Sequence, residues 1–156
     1  MKIHLCVVGR LRKGPEKELI DDYISRFEKI GRYHGLGPVS IIEVEDKKNG
    51  GMPNEALLLK RVIPKGALIA ILDERGQTLS SPDFAKKINS YVTSGISDMA
   101  FIIGGADGIA PTLQAISDLK ISFGKMVWPH ALVRVMIAEQ LYRAASILAG
   151  SPYHRN

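Results

Sequence analysis

The chain ends in Ser151-Pro152-Tyr153-His154-Arg155-Asn156, which puts an aromatic ring, an imidazole and a guanidinium in consecutive positions. A ring can stack on a nucleobase, an imidazole can move a proton near neutrality, and a guanidinium can hold a phosphate. The other reading is a frayed carboxyl terminus, the usual state of chain ends. Upstream, Glu139 and Arg143 are four residues apart. On a helix that spacing gives either a surface ion pair or a carboxylate and a cation sharing one site, and Arg134 with Glu139 is the rival pairing.

Two loop motifs add binding chemistry. Ile103-Gly104-Gly105-Ala106-Asp107-Gly108 follows an apolar run. Glycines there let the backbone turn sharply and approach a ligand with no Cβ in the way. No Gly-Lys-Ser/Thr follows and the spacing is not Gly-x-Gly-x-x-Gly, which excludes the two common phosphate-binding fingerprints. A plain strand-to-helix turn stays open. The second motif, Phe123-Gly124-Lys125-Met126-Val127-Trp128-Pro129-His130, sets backbone polar groups among apolar side chains. It suits the edge of a flat heterocycle such as adenine, or it is a buried loop in which Met126 and Trp128 fill core.

These residues need elements to position them. Met1 to Val8 reads as a buried strand ended by Gly9. Pro15 opens a helix whose apolar residues Leu19, Ile20, Tyr23, Ile24, Phe27 and Ile30 make one stripe, stopped by Gly31. A second strand covers residues 39–44, a charged mobile loop residues 45–54, and a helix begins near Asn54 and ends near Ile63 before Pro64. Residues 67–72 read as a central strand opening into the polar loop Asp73-Glu74-Arg75-Gly76. Ser81 is the expected cap of a helix reaching Thr93. Another buried strand covers residues 99–103, a short helix runs from Pro111 to Ser117, and residues 119–123 and 126–128 are short extended pieces. The last helix starts at Pro129 or His130 and reaches Ala149. Its apolar residues spread around most of its circumference, which points to packing on a sheet and against a second subunit.

Strands alternating with helices imply one α/β domain over residues 1–156, a mostly parallel sheet with helices on both faces. Ligands in such sheets sit beyond the carboxyl ends of the strands. Loops 72–76, 104–108 and 123–129 all fall there.

Bulk properties narrow the classes. There are 21 basic and 16 acidic side chains, a net charge of +5, which favours a polyanionic partner without proving one. Cys6 is the sole cysteine, so an intrachain disulfide is excluded and a buried inert thiol is expected. No run of 18 apolar residues is present and no export signal is legible at the amino terminus, so the protein is expected to be cytoplasmic and off the membrane. The four histidines (4, 34, 130 and 154) have no close ligand spacing, and no metal site is expected.

The succession Leu72-Asp73-Glu74-Arg75-Gly76, Ile102-Ile103-Gly104-Gly105-Ala106-Asp107-Gly108, Phe123-Gly124-Lys125-Met126, Pro129-His130-Ala131-Leu132-Val133-Arg134-Val135, Glu139-Gln140-Leu141-Tyr142-Arg143-Ala144 and Tyr153-His154-Arg155 spans essentially the whole chain. It resembles the large-subunit ribosomal RNA pseudouridine N3-methyltransferase family, small members of the SPOUT superfamily. The resemblance implies a trefoil-knotted α/β fold and a homodimer. It implies S-adenosyl-L-methionine as methyl donor, bound by Leu72, Gly104, Gly105, Phe123, Gly124, Lys125, Met126, Val127 and Trp128. The implied substrate is N3 of a pseudouridine in large-subunit (23S) ribosomal RNA of an assembled ribosome.

Transfer to N3 requires loss of its proton. His154 is the first candidate base and Glu139 the competitor. Arg143 or Arg155 would stabilise the developing negative charge, and Tyr153 would stack on the base. Arg10, Arg12, Lys13, Lys47 and Lys48 are candidate RNA contacts, which predicts steep salt dependence of binding. Three rivals stand beside this reading. One is a related methyltransferase with another RNA target. Another is a non-catalytic ribosome-binding factor. The third is a nicotinamide or nucleotide enzyme, whose glycine fingerprint is missing from Val8-Gly9-Arg10-Leu11-Arg12-Lys13-Gly14.

Overall fold

The computed structural model describes residues 1–154. Five strands alternate with five helices: β1 Lys2–Val8, α1 Pro15–Gly31, β2 Val39–Val44, α2 Gly51–Val62, β3 Leu68–Thr78, α3 Ser81–Thr93, β4 Asp98–Ile103, α4 Pro111–Gln114, β5 Leu119–Ser122 and α5 His130–Leu148. A single 3-10 turn, Arg32–His34, follows α1. The strands form one sheet in the order β2-β1-β4-β3-β5, and every pairing is parallel.

The side-chain alternation of the strands makes two cores. Ile3, Leu5, Val7, Met99, Phe101 and Ile103 point to the face covered by α1, α3 and α5. Cys6, Ile71, Ala100 and Ile102 point to the face covered by α2 and α4. Strands buried on both sides must be apolar throughout, which is why β1 and β4 read as continuous apolar runs. Cys6 is fully buried, and burial pushes its thiol up to about 11.

The termini of the helices follow local chemistry. In α1, Pro15 stands at the first turn, Glu16 and Glu18 complement the positive end of the dipole, and Lys29 complements the other. The cap of α3 is Ser80, in place of the expected Ser81. Its backbone is extended, and its hydroxyl oxygen accepts the Asp83 N–H at 3.2 Å. Ser81 is thereby the first helical residue, and its hydroxyl donates to Gln140 Oε1 at 2.9 Å.

Four further expectations are revised. Helix α2 begins at Gly51, three residues earlier than expected, and part of the segment read as a mobile loop is an organised turn. The Asp46 carboxylate accepts N–H groups from Lys48 and Gly51 and the Asn54 side-chain amide, which ties the turn to the first helical residues. Pro53 fits the first turn, where no N–H is needed. Strand β3 continues past Leu72 to Thr78. Leu72 and Gln77 both lie opposite Ile121, so residues 73–76 form a bulge where a terminal loop was expected. Gly76 is required there, because a Cβ would lie 2.6 Å from the Ile121 backbone carbon. Residues 126–128 form no strand, and α4 ends at Gln114, before Ser117.

Helix α5 lies between α1 and α3 on the sheet. Ile137, Ala138, Leu141, Ala144 and Ala145 are all buried within the single chain. Much of its apolar breadth is therefore used inside the chain, with Leu132 left 38% exposed.

Candidate active site

At the carboxyl edge of the sheet a cleft of about 520 Å³ opens between three loops. Its walls are Leu72 and the bulge residues Asp73, Glu74 and Arg75, then Gly104, Gly105 and Asp107, then Phe123, Gly124, Met126, Val127 and Trp128. Ile103, Ile109 and Ile121 supply its apolar lining, and His130 and Val133 close it from the first turns of α5. The volume is that of a small-molecule site, with apolar walls and a few convergent polar groups.

The glycine loop is dictated by its own geometry. Gly105 and Gly108 form an antiparallel bridge, with the Gly108 N–H donating to the Gly105 carbonyl at 3.0 Å. That fold-back brings the Gly108 carbonyl oxygen to 2.4 Å from where a Gly104 Cβ would stand. A Cβ on Gly105 would meet the Glu55 carboxylate at 2.6 Å. Glu55 thus backs the loop from α2. Burial pushes its carboxyl above the ordinary value and the Asp107 and Asp46 carboxylates push the same way, against a hydrogen bond from the Gly105 backbone and the influence of His130. The third loop turns on Gly124, whose φ of +113° suits glycine, and Ser122 Oγ both donates to the Gly124 carbonyl (2.8 Å) and accepts its N–H (3.1 Å). Met126 is 72% and Val127 81% exposed, an apolar rim at the cleft mouth.

Of the residues assigned to the cofactor, Leu72, Gly104, Gly105, Phe123, Gly124, Met126, Val127 and Trp128 line this cleft. Lys125 is exposed and outside the lining. Met52 and Glu55 were not foreseen, and His130, the last residue of the second loop motif, had not been assigned to the cofactor. Met52 and Glu55 come from the segment of least marked sequence, and nothing local signals that α2 reaches the glycine loop.

The proposed catalytic groups form a second cluster. Glu139 Oε1 accepts hydrogen bonds from the Arg143 Nε–H at 2.9 Å and the Tyr153 hydroxyl at 3.0 Å. Gln140 donates to Glu139 Oε2 at 2.7 Å. His154 Nδ1 lies 3.4 Å from Arg143 Nη1. The Arg143 guanidinium also lies over the Tyr153 ring at 4.8 Å, and that ring leans on Tyr142 with centroids 4.4 Å apart. The hydrogen bond to Glu139 raises the Arg143 pKa further, and burial together with Glu139 raises that of Tyr153. Glu139, Arg143, Tyr153 and His154 are therefore together, while Arg155 lies outside the described residues. None of the four lines the cleft.

Arg134 does not pair with Glu139. It is 5% exposed and turned the other way, reaching Val8, Gly9 and Glu43 at the carboxyl ends of β1 and β2. Arg10, Arg12, Lys13, Lys47 and Lys48 are all exposed on the two loops that leave those strand ends, along the same edge as the cleft. Among the described residues no three His, Cys, Asp or Glu side chains are grouped to hold a metal, and no helix is long and apolar enough to cross a membrane.

A family model described as "Predicted SPOUT methyltransferase" matches residues 1–154. The chain is 65% identical over 156 residues to the "Ribosomal RNA large subunit methyltransferase H" of Roseobacter denitrificans, covering 100% of both chains. It is 64% identical over 155 residues to the protein of the same name from Ruegeria sp. (strain TM1040), covering 99% of both. Among solved structures, a probable methylase family protein from Haemophilus influenzae Rd KW20 aligns with a TM-score of 0.53 and 11% identity, over 99% of this chain and 70% of that one. That likeness concerns the fold alone.

Proposed function

Since the chain belongs to the SPOUT methyltransferase family, we propose that it methylates N3 of a pseudouridine in large-subunit (23S) ribosomal RNA within the assembled ribosome. The methyl donor in this reading is S-adenosyl-L-methionine, and the working form is a homodimer with the trefoil knot of the family fold. The observation that carries the reading is the convergence of Leu72, the 104–108 loop and the 123–128 loop on one cleft. The full-length identity to proteins named as large-subunit ribosomal RNA methyltransferases supports the substrate class.

The residues present fit the donor. Gly104 and Gly105 line the cleft without side chains, so a ligand meets bare backbone there, and a Cβ on either would press against Gly108 or Glu55 and disturb the wall itself. Apolar Ile103, Ile109 and Ile121 suit the faces of an adenine, and the backbone of residues 123–128 suits its polar edge. When bound, the donor supplies an electrophilic methyl group on sulfonium.

The chain's own work is to align the nucleobase and remove a proton. N3 of pseudouridine lies between two carbonyls and must lose its proton as the nitrogen–carbon bond forms. His154 takes that proton in this proposal, with Glu139 as the competing base. Arg143 and Arg155 balance the negative charge that gathers on the ring carbonyls. Tyr153 stacks on the base once RNA has drawn the tail away from Glu139.

Helix geometry supports the dimer. Val133 is the last α5 residue lining the cleft, and Glu139 and Arg143 stand about 9 and 15 Å farther along the helix axis. One copy's catalytic cluster is thus remote from its own cleft, and a two-fold partner is the simplest way to bring tail and donor together.

The test uses radiolabelled S-adenosyl-L-methionine and ribosomes carrying pseudouridine or uridine at the target. Label entering large-subunit RNA only with pseudouridine is the expected result. Label in both removes the pseudouridine requirement. Cofactor binding without label points to another RNA, and absence of cofactor binding overturns the proposal.

A further inference from the structure

Arg134 is the feature that neither cofactor binding nor proton transfer absorbs. Its guanidinium is buried under the carboxyl ends of β1 and β2, with a side-chain exposure of 6%. Nη2 donates to the Val8 carbonyl at 2.6 Å and to the Gly9 carbonyl at 2.8 Å. Nη1 donates to Glu43 Oε1 at 3.3 Å, and Nε is buried without a partner. The same Glu43 oxygen accepts the Leu11 N–H at 2.8 Å. Arg10 is therefore bracketed: the carbonyl before it is held by Arg134 and the amide after it by Glu43.

Burying an arginine for stability alone is a poor use of the position. An apolar side chain of similar volume often stabilises as well or better, whereas the ion pair fixes where its partners stand. What stands here is the start of the loop that carries Arg10, Arg12 and Lys13, all exposed. The loop leaves β1 beside β4, whose end opens into the glycine wall of the cleft. Val133, the neighbour of Arg134, lines that cleft.

We propose that Arg134 and Glu43 are positioning residues that hold Arg10, Arg12 and Lys13 as a preformed cationic array for RNA phosphates beside the donor cleft. This rests on the RNA methyltransferase reading. A preformed array spares the RNA complex the cost of ordering the loop, so its loss weakens RNA binding more than chemistry. Helix α5 is held by α1 and α3 as well. The loop has fewer anchors and is the side that moves.

The experiment measures initial methylation rates against concentration of salt-washed ribosomes lacking the modification, with tritiated S-adenosyl-L-methionine. It compares the full-length chain with Glu43→Gln and Arg134→Lys, each also made in a background of Arg10→Gln, Arg12→Gln and Lys13→Gln. In the charged background each variant raises the half-saturating ribosome concentration about fivefold, the worth of one ordinary hydrogen bond. The rate at saturation and the dissociation constant for S-adenosyl-L-methionine stay within about twofold of wild type. In the loop-neutral background the same substitutions change half-saturation less than about 1.5-fold, because the groups they position are gone. An equal effect in both backgrounds, or none in either, overturns the assignment. Glu43→Gln, at a partly exposed side chain, keeps the comparison available where Arg134→Lys lowers the folded fraction. If the wild-type chain labels no ribosome, the RNA reading falls and this inference falls with it; if wild type labels and the variants match it, this inference alone falls.

Discussion

Replacing Gly104 with alanine tests the glycine wall most directly. The added Cβ would lie 2.4 Å from the Gly108 carbonyl oxygen, 2.8 Å from the Gly108 carbonyl carbon and 2.9 Å from Ile109 Cγ1. Two of the three obstacles are backbone, tied into the bridge between Gly105 and Gly108, so they cannot swing aside as a side chain does. To restore even a 3.0 Å contact the loop must retreat by at least about 0.6 Å, and this loop is the wall of the cleft. Overpacking of this kind costs about 1–3 kcal/mol. Expressed in cofactor binding, that is roughly a 5- to 150-fold rise in dissociation constant. Gly105→Ala is the comparison, since its Cβ meets only the mobile end of Glu55, and a rise of less than about fivefold is expected. Isothermal titration with S-adenosyl-L-methionine measures both, with melting temperature as the folding control. Binding by Gly104→Ala within twofold of wild type, or a larger loss for Gly105→Ala, would refute the reasoning.

Four other outcomes are expected. Cys6, buried and with its thiol raised to about 11, should resist a disulfide reagent at pH 8 in the native state and react fully once unfolded; rapid native reaction would contradict the burial. The Glu55 carboxyl is raised in the fold, so the stability of its protonated form is present below the ordinary carboxylate value and lost as pH rises through the raised one. Glu55→Gln should therefore raise the melting temperature at pH 7 and not at pH 3.5, and a constant difference at both would count against it. Tyr153 is likewise raised, so its contribution holds below a pH of about 10 and fades above; the ultraviolet titration of wild type minus Tyr153→Phe should display a late-ionising phenol. His154→Ala on saturated enzyme should slow single-turnover methylation by about 100-fold or more, the usual worth of a general base, and an unchanged rate would hand the role to Glu139.

What could be read from the residues divides along physical lines. Strands β1 and β4 were legible because burial on both faces demands unbroken apolar runs, and α1 because Pro15 and its apolar stripe mark a start and a face. The three loops of the cleft were legible because glycines and charges follow apolar runs directly. The bulge in β3 was not, since Asp73-Glu74-Arg75-Gly76 has the composition of a loop whether or not the chain re-enters the sheet at Gln77. The choice between Ser80 and Ser81 as cap turns on one backbone angle, and both precede Pro82. Pairings across long separations leave no local trace, and Arg134 with Glu43 is the sharpest case. The tail's contact with Glu139 shares that difficulty, although the residue types in both places had already suggested chemistry.

The packing of α1 along α5 joins the first helix of the chain to the last. On a translating ribosome at about 5–20 residues per second, residues 15–31 precede residues 130–148 by roughly 5–20 s. For that interval the stripe of Ile20, Tyr23, Ile24 and Phe27 has no α5 to lie against. A chain cut short between Ser122 and His130 would contain every strand of the sheet and still present that greasy helix to chaperones and proteases. Completion of synthesis is thereby a condition of folding, and truncated products should be cleared as misfolded chains before they can compete for substrate.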